Sequence, residues 1–244
     1  GSPLLYNTKE LATAVRARAQ NTQVEFCMRY GSPSITEVLT HFKDLDDLTV
    51  FPLYPQYSLA ATESSIVAIR EAAKEILGAI PVKFLPAFYE HEAYLNAVAA
   101  ISKPQLDSFP HDHVLFSYHG LPVRQSEKTN PTYRAQCFET TRQLATKLQL
   151  KQGGYSVAFQ SRLKGSPWVE PFSDVLYETF PKQGIKRLAV MSPSFVADCL
   201  ETLEEISIRG REQFIANGGE DLRLISSLNA SPEWVDAVVA IHHQ

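Results

Sequence analysis

Three carboxylates and one histidine have the types and spacing that best suit chemistry in this chain. Over Phe195–Glu205, Asp198, Glu201 and Glu205 recur at intervals of three and four, which on a helix lines them along one stripe. Leu200, Leu203 and Ile206 fall on a second stripe that can face a core. A carboxylate row of this kind can attract a cation or pass protons; an acidic, solvated helix face is the plainer alternative. The segment follows a strand-like run, Arg187–Met191, and a Ser192-Pro193-Ser194 turn. That places it where open α/β sheets keep their ligand crevice. His119 follows another apolar run, Val114–Tyr118, at a Gly-Leu-Pro turn that holds its backbone. A neutral imidazole there can ligate a transition metal or accept a proton. A histidine hydrogen-bonded within its own turn is the alternative. His111 and His113 read as loop histidines, and His242 and His243 belong to a terminus that can fray; none has a ligand spacing.

Aromatic and cationic residues form a second group. Arg29-Tyr30 precedes Gly31-Ser32-Pro33, and Tyr54–Ser58, which includes Tyr57, follows the next strand-like run. Both would lie at the same end of a parallel sheet, where they can hold a flat, carboxylate-bearing aromatic ligand by ion pairing and stacking. Tyrosines at a core rim and an arginine capping a loop fit equally well. Trp168, after Gly165-Ser166-Pro167, allows the same two readings. The sequence has no Gly-x-Ser-x-Gly elbow, Walker loop or Gly-x-Gly-x-x-Gly fingerprint.

The elements that must position these residues alternate between strand-like and helix-like runs, which predicts α/β with a mainly parallel sheet. The order of elements also repeats at a near-constant offset of about 133 residues. Leu11-Ala12-Thr13 recurs as Leu144-Ala145-Thr146, Val24–Met28 as Tyr155–Phe159, and Arg29 as Arg162. Gly31-Ser32-Pro33 recurs as Gly165-Ser166-Pro167, and Leu48–Phe51 as Leu188–Met191. The second copy has one element more, the Val114–Tyr118 strand before its Tyr133–Leu150 helix; the counterpart in the first copy would precede Gly1. The expectation is therefore two similar Rossmann-like halves, 1–102 and 103–228, the first lacking its N-terminal strand. The boundary is expected where Pro104 and Pro110 bracket a polar stretch. Residues 229–244 should form a helix, capped by Ser231 with Pro232 at its first position, that packs back on the first half.

Bulk properties exclude several classes. With 44% hydrophobic and 20% charged residues, 244 residues suffice for a substantial core. A net charge of −4 without a basic cluster argues against nucleic-acid binding. No apolar run approaches a membrane span, and no signal-peptide pattern stands at the start. Cys27, Cys137 and Cys199 are far apart and form no Cys-x-x-Cys pair, which suits a reducing cytoplasm and argues against a disulfide framework or structural zinc.

With these motifs in order, the chain resembles the ferrochelatase family, which inserts ferrous iron into a porphyrin in haem synthesis. The resemblance rests on Gly1–Leu4, Met28-Arg29-Tyr30, Leu53–Ser58, Phe116–Pro122, Phe159–Arg162, Pro167-Trp168 and Asp198–Glu205, and it spans essentially the whole chain. It implies a chelatase-type fold of two Rossmann-like halves. It implies catalytic, metal-site roles for His119 and Glu201 on either side of the porphyrin centre, and a metal or proton path over Asp198 and Glu205. Arg29, Tyr30, Tyr57, Trp168 and Phe195 match porphyrin-pocket positions. Ferrous iron and porphyrin are then substrates, and no tightly bound cofactor is expected. Some relatives carry a [2Fe–2S] cluster; here Leu59 follows Tyr57-Ser58 and no cysteine follows Cys199, so no cluster is expected. Ser194 stands where many relatives have Gly, and Cys199 where some have His. A related chelatase for another metal, or a non-catalytic haem-binding protein, are the competing readings. Protoporphyrin versus coproporphyrin, the oligomeric state and attachment to the inner-membrane surface stay open.

Overall fold

The computed structural model describes residues 1–19, 22–42, 45–163 and 165–243. The chain opens with α1 (Pro3–Arg18), whose first turn is capped by the Ser2 hydroxyl and begins with proline. After α2 (Ile35–Leu39), β1 (Leu48–Val50) leads through a π-helical turn, Leu59–Glu63, into α3 (Ser64–Ile76). β2 (Val82–Phe84) returns parallel to β1, and the two form a small sheet. α4 (Glu92–Asp107) connects to β3 (His113–His119), α5 (Val123–Ser126), α6 (Tyr133–Lys147) and β4 (Tyr155–Gln160). There follow α7 (Ser173–Thr179), β5 (Arg187–Met191), α8 (Leu200–Leu203), a π-helical turn Glu205–Gly210, α9 (Arg211–Ala216), β6 (Asp221–Leu224) and α10 (Pro232–His242). The larger sheet is entirely parallel in the order β4-β3-β5-β6.

Parallel sheets need cover on both faces, so their strands are apolar on both sides. Here alternate residues separate cleanly. Val114, Phe116 and Tyr118 of β3 and Ala189 and Met191 of β5 face one cluster, while Leu115, Leu188 and Val190 face the other. The first cluster also gathers Leu11 and Val15 of α1, Tyr94, Leu95 and Val98 of α4, and Trp234, Val235 and Ile241 of α10. One core thus joins the N-terminal elements to the large sheet. The second is closed by Tyr177, Ile206 and Phe214. A third, smaller cluster around Leu39, Leu48 and Ala73 lies under the two-stranded sheet.

Three local expectations change. Val24–Met28 contributes only a single bridge, Met28 to Ser34, and no named strand. Its counterpart β4 is held along its length by β3, and an extended segment without such a neighbour has no ladder to complete. The stretch expected as a boundary is mostly helix: α4 runs through Pro104 to Asp107, and residues 102 and 103 lie inside it. His113 is not a loop residue; it begins β3, and its Nε2 lies 2.8 Å from the Ser156 hydroxyl. The C-terminal helix forms as its Ser-Pro start predicts and packs against α1 and α4.

Trp234 is fully buried among Phe51, Phe88 and Tyr94. Trp234→Ala should lower unfolding stability by about 3–5 kcal/mol, read as a drop in the urea midpoint; an unchanged midpoint would show that α10 is not part of the cooperative core.

Candidate active site

Because all four strands of the larger sheet run the same way, their C-terminal ends share one edge, and β3 ends there at His119. Each backbone group of His119 is tied. Its N–H donates to the Ser194 hydroxyl (3.2 Å), and its carbonyl accepts from the Tyr133 hydroxyl (2.9 Å). Its Nδ1 lies 2.8 Å from the Gly120 carbonyl. A carbonyl only accepts, so Nδ1 carries a proton, and in the neutral imidazole the lone pair is then on Nε2. The Phe195 ring stands 6.1 Å from the imidazole, tilted by 56°.

The turn beyond His119 is held by close packing. Gly120 donates its N–H to the Gln160 carbonyl (2.8 Å). A Cβ on Gly120 would stand 2.7 Å from that same oxygen and 3.2 Å from the Trp168 ring, so only glycine lets the two backbones approach this closely. Trp168 is bridged to Pro122 and lies over this turn.

Gln160, the last residue of β4, pairs with His119 in the strand register. Its buried amide accepts from the Ser117 hydroxyl (2.7 Å) and donates to the Glu201 carbonyl (2.6 Å). This side chain joins the histidine-bearing edge to the first turn of the acidic segment.

The acidic segment differs from the expected continuous helix. Residues 195–199 are non-helical, α8 covers only Leu200–Leu203, and Glu205 begins the π-helical turn. The physical reason lies in the start of α8. Cys199 is extended, and the Thr202 hydroxyl accepts from the Cys199 N–H (3.1 Å) and donates to the Asp198 carboxylate (3.0 Å). Asp198 is buried, and its carboxylate also accepts from Ser227 N–H (3.3 Å) and the Asn229 amide (2.8 Å). Its backbone carbonyl accepts from Asn7 of α1 (3.0 Å). Glu205 accepts from the Ser161 N–H (2.8 Å) and hydroxyl (2.5 Å). Ser161 has φ +62°, a conformation that costs an L-residue about 1–2 kcal/mol, and these two bonds to Glu205 offset that cost. Glu201, half-buried, is the carboxylate of the three that accepts no backbone N–H or hydroxyl among the described residues. It lies beside the Cys199 thiol; burial first, and then the Glu201 charge and hydrogen bond, push that thiol up to about 12.

The aromatic residues divide in two. Tyr57 donates its N–H to Gln136 of α6 (2.7 Å), and its hydroxyl bonds Glu63. Burial and that carboxylate raise the phenol to about 12. Gln136 and Tyr133 lie one turn apart on α6, so one helix end supports both Tyr57 and His119. Arg29 and Tyr30 stay together on their own loop, the guanidinium 4.6 Å from the ring centre. Tyr30 is exposed, and no hydrogen bond or ion pair joins either residue to His119 or Glu201 among the described residues. No three His, Cys, Asp or Glu side chains converge on a metal-holding geometry among the described residues.

Sequence reasoning singled out no role for Gln160, Ser161, Tyr133, Thr202 or Asn229. The signal available for Gln160 and Ser161 was their place at a strand end in the Phe159–Arg162 motif. The partners of Asp198 lie 29 and 31 residues away, beyond any local pattern.

The fold and the strand-end site define a chelatase-type α/β protein. The chain superposes over its full length on SirB from Bacillus subtilis with Fe3+, covering 91% of that chain at a TM-score of 0.70 and 14% identity. It also superposes on CbiX, the terminal enzyme for biosynthesis of sirohaem in denitrifying bacteria, covering 93% of that chain at 0.64 and 11% identity. A ferrochelatase family profile matches residues 1–244. The chain is 43% identical to a ferrochelatase of Legionella pneumophila over 99% of its own length and 78% of the relative's. It is 40% identical to one of Pseudomonas aeruginosa over 98% and 76%. The chain belongs to the ferrochelatase family.

Two substitutions separate the supports of His119. Gly120→Ala forces apart the Gln160 carbonyl and the turn, whereas Ser194→Gly removes one hydrogen bond worth about 0.5–1.5 kcal/mol. Metal insertion should fall further in Gly120→Ala than in Ser194→Gly when both rates are measured together. A larger loss in Ser194→Gly would reverse this ranking of the two contacts.

Proposed function

We propose that His119 and Glu201 carry the reaction of this family, the insertion of ferrous iron into a porphyrin in haem synthesis. The supporting observation is the Nδ1 contact to the Gly120 carbonyl, which in the neutral ring puts the lone pair on Nε2, a nitrogen with no hydrogen bond among the described residues. A free porphyrin holds two pyrrole N–H protons, and ferrous iron replaces both, so two protons leave for each iron inserted. Nε2 is the group that accepts a proton at the ring face, and Tyr133, Ser194 and Gly120 hold it there. Glu201 offers a carboxylate to the incoming cation, and carboxylate with imidazole suits ferrous iron without the tight grip of thiolates. In this reading Asp198 and Glu205 line the path to Glu201. Their own oxygens are occupied by Thr202, Asn229 and Ser161, so they fix its walls and add negative potential.

Phe195 beside His119, Trp168 over Gly120 and the supported Tyr57 supply aromatic surface for a flat ring, with Arg29 and Tyr30 on a neighbouring loop. Bending the ring against such walls would expose a nitrogen lone pair, with the strain drawn from binding energy elsewhere on the macrocycle. Iron is a substrate here, and no resident cofactor or iron–sulfur cluster enters the reading. The three unpaired cysteines support a reducing, cytoplasmic setting. No helix among the described residues is long and apolar enough to cross a membrane.

His119→Ala and Glu201→Gln should each reduce metal insertion by about 100-fold or more, while porphyrin binding, followed by fluorescence quenching, is retained. Near-normal turnover in both variants would overturn the assignment.

A further inference from the structure

The sheet edge opens where one ladder stops short of the other. The chain runs from β3 outward to β4 and then back to β5 on the other side of β3, so strand order reverses between β3 and β5. β3 stays paired with β4 as far as His119 and Gln160, but its ladder to β5 ends at Phe116 and Met191. Past that pair β3 goes on to His119. The chain after β5 turns at Pro193-Ser194 instead, and the Phe195 N–H donates to the Ser192 carbonyl (3.0 Å). His119 thus stands on one lip of the opening and Ser194 and Phe195 on the other, and no β3–β5 ladder sets their separation. A carbonyl on each lip is held by a phenol instead. The Tyr94 hydroxyl of α4 donates to the Pro193 carbonyl (2.6 Å), and the Tyr133 hydroxyl of α6 donates to the His119 carbonyl (2.9 Å). Both tyrosines are buried in one core cluster. The helices that carry them are tied to each other as well: Lys147 of α6 reaches Glu92 (2.6 Å) and Asn96 (2.8 Å) of α4, and the Thr140 hydroxyl of α6 donates to the Tyr89 carbonyl (2.8 Å).

We propose that Tyr94 and Tyr133 are paired positioning residues for metal insertion: two buried hydroxyls that replace the missing ladder and fix the distance between His119 and Phe195. The proposal rests on the reading of His119 as the proton-accepting group. A dry interior offers the Pro193 and His119 carbonyls no water in place of a lost phenol, so removing either hydroxyl strands a polar group, and the carbonyl then moves toward the opening to find solvent. The two phenols act on different parts of the site. Tyr133 holds the residue whose ring takes the proton, so its hydroxyl bears on the chemical step. Tyr94 holds the turn that carries the Phe195 ring, which stands 6.1 Å from the imidazole, so its hydroxyl bears on the fit of the flat substrate. Both side chains do this through backbone carbonyls, without touching the substrate themselves.

The test sets Tyr94→Phe and Tyr133→Phe beside Tyr118→Phe. Tyr118 is just as buried in the same cluster, but its hydroxyl bonds the Thr141 hydroxyl (2.8 Å) and neither lip carbonyl. Each variant loses one buried hydrogen bond and keeps its ring, so the three urea midpoints should fall alike. Metal insertion should separate them. In Tyr133→Phe, kcat should drop about tenfold or more with the KM for porphyrin little changed. In Tyr94→Phe, the KM for porphyrin should rise by about tenfold, with the smaller change in kcat. Tyr118→Phe should keep both constants close to those of the enzyme. Tyr94→Phe and Tyr133→Phe that match Tyr118→Phe in kcat and KM would overturn the proposal. Hydrogen exchange of the His119 amide, followed by NMR without substrate, reads the lips directly, because that N–H is bonded across the opening to Ser194. Exchange should quicken in Tyr94→Phe and Tyr133→Phe more than in Tyr118→Phe; equal exchange in all three would also overturn the proposal. Normal turnover in His119→Ala would sink the reading of the site instead, and the exchange rates would then still decide whether the two phenols hold the opening.

Discussion

The side-chain amide of Gln160 is the contact on which the geometry of the site depends. It sits at the end of β4, in register with His119, buried between a serine of β3 and the backbone of Glu201. A buried amide must satisfy both its ends, and here each end belongs to a different element. The acceptor end holds β3 through Ser117, and the donor end holds the first turn of α8. Breaking either bond would leave a polar group stranded in a dry interior, so sheet edge and acidic segment hold one relative position.

Around that contact, each reactive group is surrounded by others that do only holding. His119 is fixed at N–H, carbonyl and Nδ1, which leaves a single ring nitrogen for chemistry. The turn that carries Ser194 is itself held by Tyr94, whose fully buried hydroxyl donates to the Pro193 carbonyl (2.6 Å). Burial pushes the Tyr94 phenol upward, so it stays a neutral donor. Of the three acidic side chains, two accept from N–H and hydroxyl donors, while Glu201 has the Cys199 thiol as its side-chain partner among the described residues. A site that must take a metal and then give it up gains from this: a rigid surround keeps the geometry, while few strong ligands keep the metal exchangeable.

Much of the architecture was legible in local pattern. The apolar runs at Val114–Tyr118, Tyr155–Phe159 and Arg187–Met191 became β3, β4 and β5, and the Ser-Pro start of the last helix became the capped first turn of α10. These succeed because strand periodicity and helix capping are settled by neighbours in the chain. The Val24–Met28 run has similar apolar character yet forms only one bridge, because a strand is completed by its neighbours and not by its own composition. The Pro104–Pro110 stretch misled for the opposite reason. Proline lacks one donor, but α4 is packed against α10 and α6, and tertiary contact carries the helix past it.

By itself the sequence determined the alternation of elements, the place of His119 at the end of a strand and the presence of three carboxylates within one short segment. Only the tertiary structure decided what those carboxylates are free to do. Asp198 is claimed by Thr202, Ser227 and Asn229, and Glu205 by a serine in the left-handed conformation at the end of β4. Glu201 is held only by the buried Cys199 thiol among the described residues, a weaker donor than the N–H and hydroxyl groups on the other two. Spacing reports which side chains a helix would bring together, but hydrogen-bond saturation depends on partners supplied by segments tens of residues away. The Thr202 hydroxyl, three residues on, holds the extended Cys199 and stops the helix short of Asp198, so the single stripe read from the sequence became two anchored carboxylates and one beside a thiol.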